Sequence, residues 1–218
     1  AQLGLAVGVV DREHRKRMSE VDNSFGAIIK SEKKYLKWLA SQVGQRGRVL
    51  SIGIGTGIVE QTNLRSFSNH FVGIEPNEKR AKMARIDGIR VLAGDVHDLR
   101  LLLRQNGEGE KFDAVLMFEV MGYLRLPQVL NQLSAVMNEN GEILMTTPIL
   151  DNRIEGLASY AYQFFSWDET RKRLEDFGLN LTEVVFVKER IEGKNIAHHV
   201  QNISPEEATL VFMRAKFR

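Results

Sequence analysis

Arg48-Val49-Leu50-Ser51-Ile52-Gly53-Ile54-Gly55-Thr56-Gly57 is the stretch whose reading decides the fold. Arg48-Val49-Leu50 reads as apolar strand, and three glycines at alternate positions follow at its mouth, just before a helical stretch. Glycine has no Cβ, so such a turn lets backbone approach a ligand closely; a side chain at any of the three would fill space that a nucleoside can occupy. A dinucleotide fingerprint spaces its glycines G-x-G-x-x-G, whereas here the third comes one residue early. A glycine string alone also fits a plain strand-to-helix turn, so its meaning depends on what surrounds it.

Downstream, strand-like runs at 48–54, 71–75, 89–94, 112–118 and 142–147 alternate with helical stretches near 57–66, 77–86, 97–105 and 125–138. Short apolar strands separated by crossover helices imply a parallel sheet covered on both faces. Pro148 stops the fifth strand, and an aromatic-rich segment (Tyr160, Tyr162, Phe164, Phe165, Trp167) leads into a helix capped by Ser166 or Asp168 and ended by Gly178. Two β-rich runs, 181–191 and 209–217, are joined by a polar loop without a long helix, so they are predicted to pair antiparallel. The expected fold is α/β: a seven-stranded, mostly parallel sheet with a reversed last strand and helices on both faces. Upstream, residues 12–43 read as helical, with Val21, Phe25, Ile28, Ile29, Leu36, Leu39 and Ala40 at helical spacings. This divides the chain into a helical lead-in, 1–47, and a core, 48–218. A helix of about 30 residues spans some 45 Å, enough to bring Asp22, Asn23, Ser24 and Phe25 to the cleft.

At 218 residues, 43% hydrophobic and 27% charged, the composition is that of an ordinary globular chain with one large core. No apolar run approaches the ~20 residues that span a bilayer. Residues 3–10 are apolar but short, have no basic residue before them and run into charged 11–17, so no signal peptide is read. The chain begins at Ala1 rather than methionine, which fits a piece of a longer protein. With no cysteine, disulfides, thiolate catalysis and cysteine-based zinc sites are excluded, and a reducing, cytoplasmic setting is expected. No His/Asp/Glu spacing suggests a metal site. A net charge of +2 lacks the broad basic field of a dedicated nucleic-acid binder, although residues 1–50 hold ten Lys/Arg against five Asp/Glu.

Four further motifs follow the glycines in order. Phe71-Val72-Gly73-Ile74-Glu75 ends a strand in a carboxylate 22 residues after Gly53, with Pro76 beside it; an acid there can accept both hydroxyls of a ribose. Val91-Leu92-Ala93-Gly94-Asp95-Val96, the run from Phe112 to Val120, and the run from Gln132 to Pro148 complete the series. Together they resemble the class I S-adenosylmethionine-dependent methyltransferases. The resemblance implies S-adenosyl-L-methionine as cofactor and S-adenosyl-L-homocysteine as product. It places Gly53, Gly55 and Gly57 under the nucleoside, counts Ser51 and Pro76 among the cofactor-binding residues, and puts Glu75 at the ribose, Asp95 and the Val96 amide at the adenine edge, and Phe118 and Glu119 beside the methionine part. The chain departs from the family at two points. Ser51 stands where relatives often carry an acid that holds the glycine loop or the cofactor's amino group. Met121-Gly122-Tyr123 replaces the Leu-Glu-His run of many relatives that share the Thr-Thr-Pro ending; Phe118-x-x-x-Gly122-Tyr123-Leu124 resembles N-methyltransferases acting on amino sugars.

A bound sulfonium is already a reactive methyl donor, so the protein must mainly align an acceptor and exclude water. In an open parallel sheet, ligands lie beyond the carboxyl ends of the strands, which points to loops 119–126, 148–166 and 192–208. The third of these holds His198 and His199, the candidates for a general base. Tyr123, Tyr160 and Tyr162 are candidates for an aromatic pocket, with Tyr123 a third catalytic candidate. His14, His70 and His97 are scattered and read as structural. The expected activity is methyl transfer to oxygen or nitrogen of a small metabolite, such as a natural product, a sugar or an aromatic. RNA or protein methylation is the first alternative. Its exocyclic-amine and glutamine subgroup carries Asn/Asp-Pro-Pro-Tyr/Phe where this chain has Phe118-Glu119-Val120-Met121. A cofactor-binding scaffold or cyclase is the second, encouraged by Ser51.

Overall fold

The computed structural model describes residues 30–31, 33–61, 68–85, 89–149, 166–192, 195–200 and 203–218. Seven strands form the frame: β2 (Arg46–Ile52), β3 (Ser68–Glu75), β4 (Arg90–Ala93), β5 (Phe112–Phe118), β6 (Met137–Pro148), β7 (Leu179–Glu192) and β9 (Leu210–Phe217). Two short strands, β1 (Lys30–Ser31) and β8 (Asn195–His199), add to one edge, so the order across the sheet is β1-β8-β7-β9-β6-β5-β2-β3-β4. Strands β2 to β6 are mutually parallel, and β9 runs antiparallel between β6 and β7. The expected seven-stranded sheet with its reversed last strand is therefore present.

The parallel strands are buried on both faces because their residues are apolar almost throughout. In β5, Ala114 to Met117 are fully buried. Alternate residues go to opposite sides: Leu50 and Ile52 pack with α4 (Leu99–Gln105), α5 (Leu126–Val136) and α6 (Trp167–Asp176). Val49, Ala114 and Leu116 pack with α1 (Lys33–Val43), whose Tyr35, Leu39, Ala40 and Val43 face the sheet. Two shorter helices, α2 (Ile58–Gln61) and α3 (Glu78–Arg85), follow the first two strands of the parallel set. Among the described residues no helix is long and apolar enough to cross a membrane.

Local chemistry sets several boundaries. Ser166 caps α6 in a reciprocal box with Glu169, and Gly178, at φ +81°, follows its end, as the sequence indicates. Pro127 sits in the first turn of α5, where its missing N–H costs nothing. Two expectations need correction. The helix predicted over 12–43 is observed only as Lys33–Val43, because Lys30–Ser31 is strand, paired parallel with Asn195 and Ile196; residues 1–29 lie outside the described part. The polar loop predicted at 192–208 contains β8, which folds back antiparallel on β7. Both corrections share a cause. β7 runs past the rim of the core sheet, where Val187 is level with Pro148 through Leu210, and the outer edge of this extension, Lys188–Glu192, exposes backbone groups that β8 and then β1 pair.

At the amino ends of the strands, buried Glu108 binds Arg48 of β2 at 2.8 Å, His70 of β3 at 2.9 Å and Arg90 of β4 at 3.1 Å. One carboxylate thus fixes three strands relative to one another. Removing it leaves Arg48, largely buried, without its main counter-charge. Glu108→Ala is expected to lower unfolding free energy by about 2 kcal/mol, measured by urea denaturation, while leaving ligand affinity in the folded protein unchanged.

Candidate cofactor and active site

The chain passes from β2 to β3 and β4 on one side, then returns to β5 on the other side of β2, so a crevice opens at the carboxyl ends of β2 and β5. The glycine turn lies there. Gly53, Gly55 and Gly57 all have positive φ (65°, 59° and 73°), a conformation that a Cβ disfavours. A Cβ on Gly53 would lie 2.5 Å from Val120 Cγ2, so the turn and the end of β5 touch. A Cβ on Gly55 would meet nothing within 4 Å: it would project into open space.

The turn is tied to β3. The amides of Gly53 and Ile54 both donate to the Ile74 carbonyl, at 2.9 and 3.1 Å. Glu75, buried at the end of β3, accepts the Gly55 amide at 2.8 Å on one oxygen and the Asn77 amide at 2.9 Å on the other. The ribose acid expected from the sequence is thus beside the turn and also holds it in place. Pro76, next to it, is exposed.

Ser51 does not stand alone. Its buried hydroxyl donates to Glu60 Oε1 of α2 at 2.8 Å. Glu60 is 3% exposed, and burial raises its carboxyl pKa to about 7 against the hydrogen bonds from its own backbone and from Ser51. The sequence analysis missed Glu60. Its signal was a carboxylate in the apolar run Ile58-Val59-Glu60, three residues past the last glycine.

Asp95 follows β4 and caps the 3-10 turn Val96–Asp98, accepting the His97 amide at 2.9 Å. The same oxygen meets His97 Nδ1 at 2.5 Å. The Arg125 amide points at Nε2 of that ring (3.1 Å), so Nδ1 carries the proton donated to Asp95. His97 is thus a structural link between the β4 loop and the segment before α5. The Val96 side chain is in the core.

Phe118 ends β5 and packs on the α1 side. Glu119 follows it with φ +53°, the only non-glycine positive φ among the described residues. Its amide is held by the carbonyl and the hydroxyl of Thr146, both at 3.0 Å. Tyr123 is half-buried in the 3-10 turn Met121–Tyr123 just beyond. Glu119 and Glu189 of β7 both act on buried Tyr35 of α1, whose pKa is raised well above normal by burial first and then by these two carboxylates. His198 and His199 lie in β8, paired through their backbone with Glu189 and Lys188; their side chains, and all of Tyr160 and Tyr162, lie outside the described residues.

A parallel sheet with this strand order, a glycine turn open to ligand and a carboxylate at the next strand end define a nucleoside-binding α/β protein. The comparisons narrow that class. A family model described as a methyltransferase domain matches residues 16–184, and the chain belongs to that family. S-adenosylmethionine-dependent methyl transfer is its activity. No curated protein matches the sequence. Among solved structures, the fold is similar to that of an S-adenosylmethionine-dependent methyltransferase of Thermotoga maritima described as a possible histamine N-methyltransferase (19% identity, 97% of this chain and 99% of that one, TM-score 0.60). It is also similar to an S-adenosylmethionine-dependent methyltransferase of Archaeoglobus fulgidus (18% identity, 84% and 92%, TM-score 0.64). A third match is a glycopeptide N-methyltransferase solved with S-adenosylmethionine (11% identity, 85% and 94%, TM-score 0.59). The residues at the turn fit that cofactor: space in front of Gly55 for the nucleoside, and an acid at the next strand end for its sugar.

Two outcomes follow from this geometry. Gly55→Ala is expected to cost about 1–2 kcal/mol of stability through its left-handed backbone and to abolish S-adenosylhomocysteine binding by calorimetry, because the methyl enters the ligand's space. Between pH 4.5 and about 7 the folded chain keeps a proton on Glu60 that the unfolded chain has lost. Glu60 therefore contributes less to stability as pH rises through that window. The stability of Glu60→Gln relative to the native chain should rise from pH 5 to pH 8 in thermal unfolding; a constant difference would refute the raised pKa.

Proposed function

We propose that this enzyme transfers the donor's methyl group to nitrogen or oxygen of a small metabolite, with an amine as the favoured acceptor. The observation that carries this reading is the charge at the site's mouth. Glu119, just after β5, is exposed and neighbours Val120, which touches the glycine turn, while Glu189 on β7 is itself buried and adds negative charge near the buried Tyr35. An exposed carboxylate there attracts a cationic small molecule and repels a phosphate backbone. The segment after β5, Phe118-Glu119-Val120-Met121, lacks the Pro-Pro-aromatic arrangement suited to exocyclic or amide nitrogens of macromolecules. Two of the three structural neighbours named above are described as N-methyltransferases, one possibly for histamine and one for a glycopeptide, which supports the same choice.

The cofactor supplies an electrophilic methyl on sulfur. The protein's part is to hold the acceptor nitrogen or oxygen in line with it, keep water out and take up the acceptor's proton. Gly53, Gly55 and Gly57, with Ser51, would cradle the donor, and Glu75 with Pro76 would lie at its ribose. Asp95 and the Val96 amide would meet its adenine, and Phe118 and Glu119 its methionine part. Tyr123 would border the acceptor. His198 or His199, on the hairpin above the carboxyl ends, would accept the proton, since an imidazole titrates near neutrality.

The test is S-adenosylhomocysteine release with separate panels of amines, hydroxylated small molecules, RNA and protein. Release with small amines is the expected result. Methylated RNA with salt-dependent retention would replace this reading with the macromolecular one, and cofactor binding without release on any panel would favour a scaffold. His198→Ala or His199→Ala is expected to lower turnover at least tenfold, on the order of one general base, with S-adenosylhomocysteine affinity unchanged in calorimetry. Native rates in both variants would remove the base role.

A further inference from the structure

Position 51 lacks the acid that the family resemblance expects, yet a carboxylate stands directly behind it. Ser51 is the penultimate residue of β2, and its hydroxyl spends its proton on Glu60. That leaves the Ser51 oxygen free to act as an acceptor with a carboxylate polarising it from behind. Both residues are 3% exposed and flank the glycine turn in sequence, Ser51 two residues before Gly53 and Glu60 three after Gly57. Among the described residues no lysine or arginine pairs with Glu60. A buried carboxylate without a counter-charge is costly, and a desolvated titratable group beside a cleft marks a candidate functional site.

We propose that Glu60, acting through the Ser51 hydroxyl, is the positioning residue that supplies negative charge to the amino-acid end of the methyl donor. The acid has moved from the strand to the helix behind it, and serine relays it. This rests on the reading that the donor occupies the space over the glycine turn. The surroundings suit such a role. Among the described residues, the neighbouring elements carry Tyr35 and Lys37 on α1, Arg46 and Arg48 on β2, His70 and Glu75 on β3, Asp113 on β5 and Glu119 just after it. None of these figures among the causes that shift Glu60, which are burial, its own backbone and Ser51. Among the described residues no cation pairs with it, so a ligand ammonium would supply that charge, and binding at neutral pH should expel its proton.

Calorimetry with two ligands tests this on the full chain. S-adenosylhomocysteine carries the amino-acid end; 5′-methylthioadenosine keeps the adenosine and sulfur but lacks it. Glu60→Gln and Ser51→Ala are each expected to weaken S-adenosylhomocysteine about tenfold or more and to leave 5′-methylthioadenosine within about twofold. Glu75→Ala should weaken both ligands. Native protein at pH 7 should release a proton on binding S-adenosylhomocysteine, read from heats in buffers of different ionisation enthalpy, and Glu60→Gln should not. Should Glu60→Gln fold poorly, Ser51→Asp combined with Glu60→Ala places the acid back on the strand and is expected to restore selectivity for the amino-acid end. Equal losses for the two ligands, or none, would overturn the proposal. Failure of the native chain to bind either ligand would overturn the reading of the turn itself.

Discussion

Glu75 accepts two backbone amides, Gly55 on one side and Asn77 on the other, and the geometry of the ligand site follows from that grip. The glycine turn has no side chains of its own to hold it, and three consecutive alternate residues adopt positive φ. Its shape is imposed from β3, by the Ile74 carbonyl and the Glu75 carboxylate together. Each carboxylate oxygen offers two acceptor positions. The ribose role expected from the sequence falls on the same side chain that holds the turn.

The two ends of the sheet handle charge differently. At the amino ends, carboxylates are met by cations. Glu108 serves Arg48, Arg90 and His70, and Glu142 binds Arg46 at 2.5 Å and Arg214 at 3.0 Å. Burial alone would raise the Glu142 pKa, but Arg214, Arg46 and Lys216 outweigh it and hold the carboxyl below its usual value. At the carboxyl ends, Glu60 goes the other way, because burial dominates and the hydrogen bonds it receives are too few to offset it. Charge is neutralised at the amino ends, whereas Glu60 meets no counter-charge among the described residues.

Much of this was legible beforehand. The continuous apolar runs identified the parallel strands, since both faces of each are covered, and Phe112–Phe118 was delimited without error. The Ser166 cap and Gly178 stop were readable because capping depends on a few adjacent residues. Of the hairpin of β7 and β8, the first strand is legible in the sequence, whereas Asn195–His199 reads as loop. Its strand character comes from pairing across the sheet edge rather than from a clear local alternation. The link from His97 to Asp95 and Arg125 was invisible for a similar reason: its partner in the Met121–Arg125 region is 28 residues away along the chain.

The sequence by itself determined the layered α/β fold, the glycine turn and the carboxylate at the end of the following strand, because each is written in neighbouring residues and repeating apolar periods. The tertiary structure alone decided what those residues touch. It placed Glu60 behind Ser51, set Val120 against Gly53, and drew Glu119 and Glu189 toward one buried tyrosine. These contacts join segments far apart in the chain or on separate elements, and their energies depend on burial, which no local pattern of residues encodes.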